Sequence, residues 1–85
     1  MIKFNAYVIE LEPDNCYEVY IENVYKGVVT DNGLIDDAVT TFESALSTVI
    51  ELMLSYDYDY TEVNRGLSRK GLPCRKYVIS IDNGD

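Results

Sequence analysis

One stretch of this chain, and only one, carries helical spacing. From Phe42 the apolar residues fall at 42, 45, 46, 49, 50, 53 and 56, the rhythm of an amphipathic helix. The segments on either side alternate instead. A lone helix among strands can bury its apolar stripe only against a sheet. The pattern therefore prescribes an α+β fold: a small two-layer sandwich, an antiparallel sheet of four or five strands with one main helix, in the order β-β-β-α-(β)-β.

The strands follow from period-two alternation. In "IKFNAYVIEL" (2–11), Ile2, Phe4, Ala6 and Val8 point one way, and Lys3, Asn5, Tyr7 and Ile9 the other. Ile9 and Leu11 make the second face apolar towards its end, which predicts partial cover there. Pro13-Asp14-Asn15 supplies a turn. "CYEVYI" (16–21) forms a second strand, with Tyr17, Val19 and Ile21 on one face. Glu22-Asn23 reads as a two-residue hairpin turn, since Asn tolerates positive φ. "VYKGVVT" (24–30) returns as a third strand in which Gly27 marks a bulge or a close approach. Asp31-Asn32-Gly33 ends it.

Two starts compete for the helix. Thr40 with Glu43 would form a capping box, whereas "AVTTF" as a short strand would leave Ser44 as the N-cap. Its end falls near Ser55–Tyr56, before alternating Tyr and Asp. "YDYDYTEVN" (56–64) is a strand, or else a loop leading into a short helix. "RGLSRKGLPCRK" (65–76) reads as a loop, "YVISI" (77–81) as the last strand and "DNGD" as a frayed end.

The apolar arc of this helix spans roughly 200°, wider than one sheet requires. What remains outside is Ser44, Ser47, Thr48, Glu51 and Ser55, with a single charge. Something should cover it. The chain's own tail is the first expectation. The other is a second copy seated on Ser47, Thr48, Glu51 and Leu52, which would make a homodimer.

Function is limited first by what the chain lacks. It has no histidine, and Cys16 and Cys74 have no CxxC spacing. They read as reduced thiols, with no zinc set. No G-x-S-x-G elbow and no phosphate-cradling glycine loop is present, so an enzyme is not expected, nor a cofactor or metal. Asp31-Asn32-Gly33 matches only the opening of a calcium loop. Lys3, Glu10, Glu12 and Asp14 interrupt any signal-peptide core, and "VIELML" is far too short to span a bilayer. The expectation is one domain, 1–85, in the cytoplasm, without a membrane partner.

Charge narrows the partner. The net charge is −8. Residues 1–64 set thirteen acids against Lys3 and Lys26, while Arg65, Arg69, Lys70, Arg75 and Lys76 outnumber the acids of 65–85. Such a chain repels a phosphate backbone and attracts basic proteins. On an extended "YDYDY", Asp57 and Asp59 would stand about 6.6–6.8 Å apart, close to the pitch of phosphates along a nucleic-acid strand. The tyrosines would supply the amphipathic contact area common at interface hot spots. The plainer alternative is that Tyr56, Tyr58 and Tyr60 cover the fold while the aspartates face water.

A small, acidic, tyrosine-rich α+β chain without a catalytic set resembles the phage-encoded anti-defence inhibitors of the anti-CRISPR and anti-restriction type. This resemblance is one of composition. It implies a non-enzymatic inhibitor, in the host cytoplasm if phage-encoded, that occludes a basic nucleic-acid-handling host protein by mimicking nucleic acid. The residues that would carry this are Asp57, Tyr58, Asp59, Tyr60 and Glu62, supported by Asp31, Asp36 and Asp37. The basic segment 65–76 departs from a uniformly negative mimic. It leaves open an RNA- or peptide-binding module acting through Arg69, Lys70 and Arg75.

Overall fold

A computed structural model describes residues 2–13, 16–30, 41–54 and 57–82. Five strands, β1 (Ile2–Glu12), β2 (Cys16–Ile21), β3 (Tyr25–Thr30), β4 (Tyr58–Leu67) and β5 (Pro73–Ile81), form one sheet in the order β3-β2-β1-β5-β4. Every neighbouring pair is antiparallel. One helix, α1 (Phe42–Met53), joins the two edge strands in sequence and lies over β1, β2 and β3. The two-layer α+β architecture is the one the periodicities prescribe. No described helix is long and apolar enough to cross a membrane.

The core is the alternation made solid. Ala6 and Val8, then Tyr17, Val19 and Ile21, then Tyr77, Ile79 and Ile81 are buried under Phe42, Ala45, Leu46, Val49 and Ile50 of α1. Phe4, Tyr25, Tyr58 and Tyr60 pack around this cluster. Among the described residues no charged side chain is buried with it. At roughly 25 cal/mol per Å² of apolar area, this interface is the main source of stability.

Several local expectations are corrected. The helix cap is Thr41, neither Thr40 nor Ser44: its backbone is extended and its Oγ1 accepts the Ser44 amide at 3.0 Å. The helix ends at Met53, and its cap residue Leu54 donates its N–H to Ile50 O. The β2–β3 turn has three residues, Glu22–Val24, with Asn23 at φ 64° and Val24 N bonded to Ile21 O at 2.9 Å. Asn23 is the third residue of the hydrogen-bonded β-turn 21–24, where a positive φ calls for Gly or Asn. Gly27 marks a close approach, not a bulge, since the β2–β3 register is unbroken. A Cβ there would lie 2.6 Å from Cζ of Tyr25, whose ring covers the glycine.

The largest correction concerns 65–76. Most of it is strand: β4 runs to Leu67 and β5 begins at Pro73, so only Ser68–Leu72 turns. Gly71 N donates to Ser68 O at 2.9 Å, Ser68 N to Leu72 O at 2.8 Å, and Gly71 sits at φ 78°. A three-residue hairpin loop with a left-handed glycine has this form, and it puts Arg69 and Lys70 at the tip. Pro73 is tolerated because it opens its strand.

The tail does not cover the helix. It enters the sheet as β5, between β1 and β4. Tyr58 and Tyr60 reach the flank of α1 instead: Ser47 Oγ lies 3.5 Å from Tyr60 Oη, and Tyr58 Oη donates to Glu51 at 3.4 Å. The turn at 31–33, the acids Asp36 and Asp37, and Tyr56 lie outside the described residues.

Candidate functional site

Tyr58, Asp59 and Tyr60 of the tyrosine–aspartate stretch form the start of the β4 edge strand, whose outer side pairs with no described strand. Alternation divides it. Tyr58 and Tyr60 turn towards α1, half-buried, with rings stacked 6.4 Å apart, and Tyr60 meets buried Tyr77 edge-on at 5.9 Å. Burial, with the Glu51 carboxylate alongside, pushes the Tyr58 hydroxyl pKa up. Asp57 and Asp59 are exposed. With Ser80 and Asp82 they line an open depression of about 260 Å³, where Asp82 N donates to Asp57 O at 3.2 Å.

Glu62 does not join them. It lies on the tyrosine side of β4, beyond which the register shifts, and it chelates Arg65 through two hydrogen bonds, one of 3.0 Å from Nη2. That guanidinium holds the Glu62 carboxyl below the usual carboxylate range. Of the proposed partner-binding residues, then, Asp57 and Asp59 come together at one end of the edge, and Asp82 joins them unforeseen. Among the described residues no group of His, Cys, Asp and Glu could hold a metal ion.

The helix residues weighed as a dimer face are divided too. Ser47 and Thr48 are half-buried, the first against Tyr60 and the second bonded to Ser44 O at 2.8 Å. Glu51 and Leu52 are exposed.

The basic segment is split by the same alternation. Arg75 lies on the helix face, 4.2 Å over the Phe42 ring and 3.7 Å from Glu43. Lys76 lies on the opposite face, 5.7 Å over the Tyr7 ring. Arg69 and Lys70 overhang that second face from the hairpin tip, beside Ile9, Leu11 and Glu18.

This second, helix-free face holds a surface that sequence reasoning missed. One row crosses the whole sheet: Asn64, Lys76, Tyr7, Tyr20, Lys26. The next row is Gly66, Cys74, Ile9, Glu18, Val28. Of these, Tyr7, Tyr20, Lys26, Ile9, Glu18 and Cys74, with Leu67, Ser68 and Arg69, bound an open groove of about 640 Å³, and Lys76, Asn64 and Gly66 line an adjoining cleft that shares Tyr7, Leu67 and Cys74 with it. Tyr7 and Tyr20 stand 6.0 Å apart, ring to ring. Leu67 is 71% exposed and Val28 50% exposed. The signal in the sequence was Tyr7, Ile9, Leu11 and Tyr20 at positions whose parity should have been polar. Cys74 and Cys16 are free thiols on this face, and burial raises the pKa of each. A raised thiol pKa lowers reactivity at neutral pH.

Comparison with known proteins finds no matching family model, no similar curated protein and no similar solved structure.

Proposed function

We propose that this chain is a non-enzymatic binding protein that blocks a basic, nucleic-acid-handling host protein, in the manner of phage-encoded anti-CRISPR and anti-restriction inhibitors. The observation that carries this reading is the acidic end of β4. Asp57 and Asp59 are exposed on an edge strand whose intervening Tyr58 side chain is anchored on α1. The tyrosine acts as a strut, so the carboxylates stand at fixed positions and little entropy is lost when a cationic surface docks. The net charge of −8 supports long-range attraction to such a surface. Asp82 extends the docking patch.

The test is a pull-down from host lysate in parallel with the Asp57→Lys/Asp59→Lys protein. A basic nucleic-acid-handling protein should be retained by the native chain and released by the variant. With that partner purified, the association rate should fall steeply as salt rises through the range where the Debye length shrinks to about 8 Å. An association rate indifferent both to salt and to the two substitutions overturns the reading.

A further inference from the structure

The helix-free face of the sheet differs from the rest of the molecule in charge and in polarity. An acidic chain gathers Lys26, Arg69 and Lys70 around one groove, with Lys76 in the cleft that adjoins it beside Tyr7, against a single carboxylate among the described residues that line the groove, Glu18. Its floor is apolar. Ile9 and Leu11 lie beneath the Ser68–Leu72 turn, and Tyr7 and Tyr20 continue the floor across β1 and β2. A contiguous exposed apolar patch rimmed by charge marks an interaction site.

We infer that this groove binds an extended acidic peptide segment of a partner protein, one that alternates carboxylates with apolar side chains. An extended segment points successive side chains to opposite sides. Apolar residues would then enter the floor between Tyr7, Ile9 and Tyr20, and carboxylates would meet the flanking cations. Lys26 and Lys76 occupy the same cross-sheet row on either side of the tyrosine pair, so charge brackets the apolar centre from both ends.

Other occupants fit less well. Single-stranded nucleic acid needs open aromatic faces and a continuous cationic track. Here the Lys76 ammonium already stands over the Tyr7 ring, Glu18 interrupts the track, and aliphatic side chains form much of the floor. A symmetric second copy would bring two like-charged clusters into one interface. The groove is separate from the acidic end of β4, so this inference stands or falls independently of the proposed inhibitory docking.

The probe is a short fluorescent peptide alternating glutamate with leucine. Its controls are the same peptide with lysine for glutamate, and oligouridine. Binding should be followed by anisotropy and by amide shifts in the intact folded protein. The acidic peptide should move Ile9, Glu18, Tyr20 and Lys26 and leave Asp57 and Asp59 in place. Lys26→Glu/Lys76→Glu should weaken it by roughly tenfold or more, with an unchanged circular dichroism spectrum, while Asp57→Lys/Asp59→Lys should not weaken it. Absence of binding, equal binding of the lysine peptide, tighter binding of oligouridine, shifts centred on β4, or self-association lost in the Lys26→Glu/Lys76→Glu protein would each overturn the inference.

Discussion

The two faces of this sheet are cut from the same five strands, residue by residue in alternation, yet they are different kinds of surface. One is covered by α1, and no charged residue among those described is buried in it. Its polar atoms are accounted for among the described residues, apart from Tyr77 Oη, which is buried without a hydrogen-bond partner. The other is open and carries lysines, tyrosines and aliphatic residues side by side. The difference teaches that stability and recognition here are separable. Substitutions on the sealed face should act on folding, and those on the open face on binding.

The sharpest way to break that separation is a pair of truncations. Ile79→Ala, at a fully buried position, should lower unfolding free energy by about 2–5 kcal/mol. Val28→Ala, on the open face, should change it by about 0.5 kcal/mol or less. Urea unfolding of both proteins checks this, and comparable losses would show that the open face is also structural.

Next in size is the device that holds α1 over the sealed face. Thr41→Ala removes the side chain that accepts the Ser44 amide and should cost about 1 kcal/mol, with Thr41→Ser restoring most of it. Thermal melts of the three proteins provide the measurement.

Tyr77 sharpens the comparison from inside. Burial raises its hydroxyl pKa above the ordinary 10.0, outweighing the nearby Arg75, and burial raises Tyr58 as well. Because the folded values are raised, their stabilisation is complete below pH 10 and declines as pH climbs through the folded values. Tyr77→Phe should shrink that alkaline loss. Near neutral pH it should leave stability unchanged or raise it by up to about 1 kcal/mol, because a buried donor without a partner is removed. Denaturant titrations at pH 7 and above pH 10 distinguish the two effects.

The smallest expected effect belongs to the exposed pair on β4. Glu62 is depressed by its hydrogen bonds from Arg65, so its contribution is present above the unfolded carboxylate value and is lost as pH falls through the lower folded one. Glu62→Gln should lower the neutral plateau of the stability curve slightly and so flatten its acid limb, leaving the acid end unmoved. Melting temperatures between pH 2 and pH 7 would reveal it.

Much of the fold was legible. Tyr17, Val19 and Ile21 were assigned to one face by period two, and Phe42, Ala45, Leu46, Val49 and Ile50 to one stripe by helical period, and all are buried. The misreadings lie where glycine and proline stand inside or at the start of strands. Gly66 and Pro73 suggested a loop, but both are stabilised by pairing with Cys74 and Leu67 across a hairpin, a non-local contribution that outweighs their poor strand propensity. The cluster at 65–76 looked like one basic site because its residues are adjacent in sequence. Alternation sends Arg75 to Phe42 and Lys76 to Tyr7.

Within each unbulged run, which side chains share a face was fixed by the chain alone, since residues two apart on a strand point the same way; across the register shift in β4, pairing decided it and put Asn64 on the face opposite Glu62. Which faces, edges and charges meet was not fixed by the chain alone. The insertion of β5 between β1 and β4 sets Lys76 in line with Tyr7, Tyr20 and Lys26, and brings Asp82 to Asp57 and Asp59. Strand order is decided by burial summed over the whole sheet, and no local stretch of sequence contains that sum.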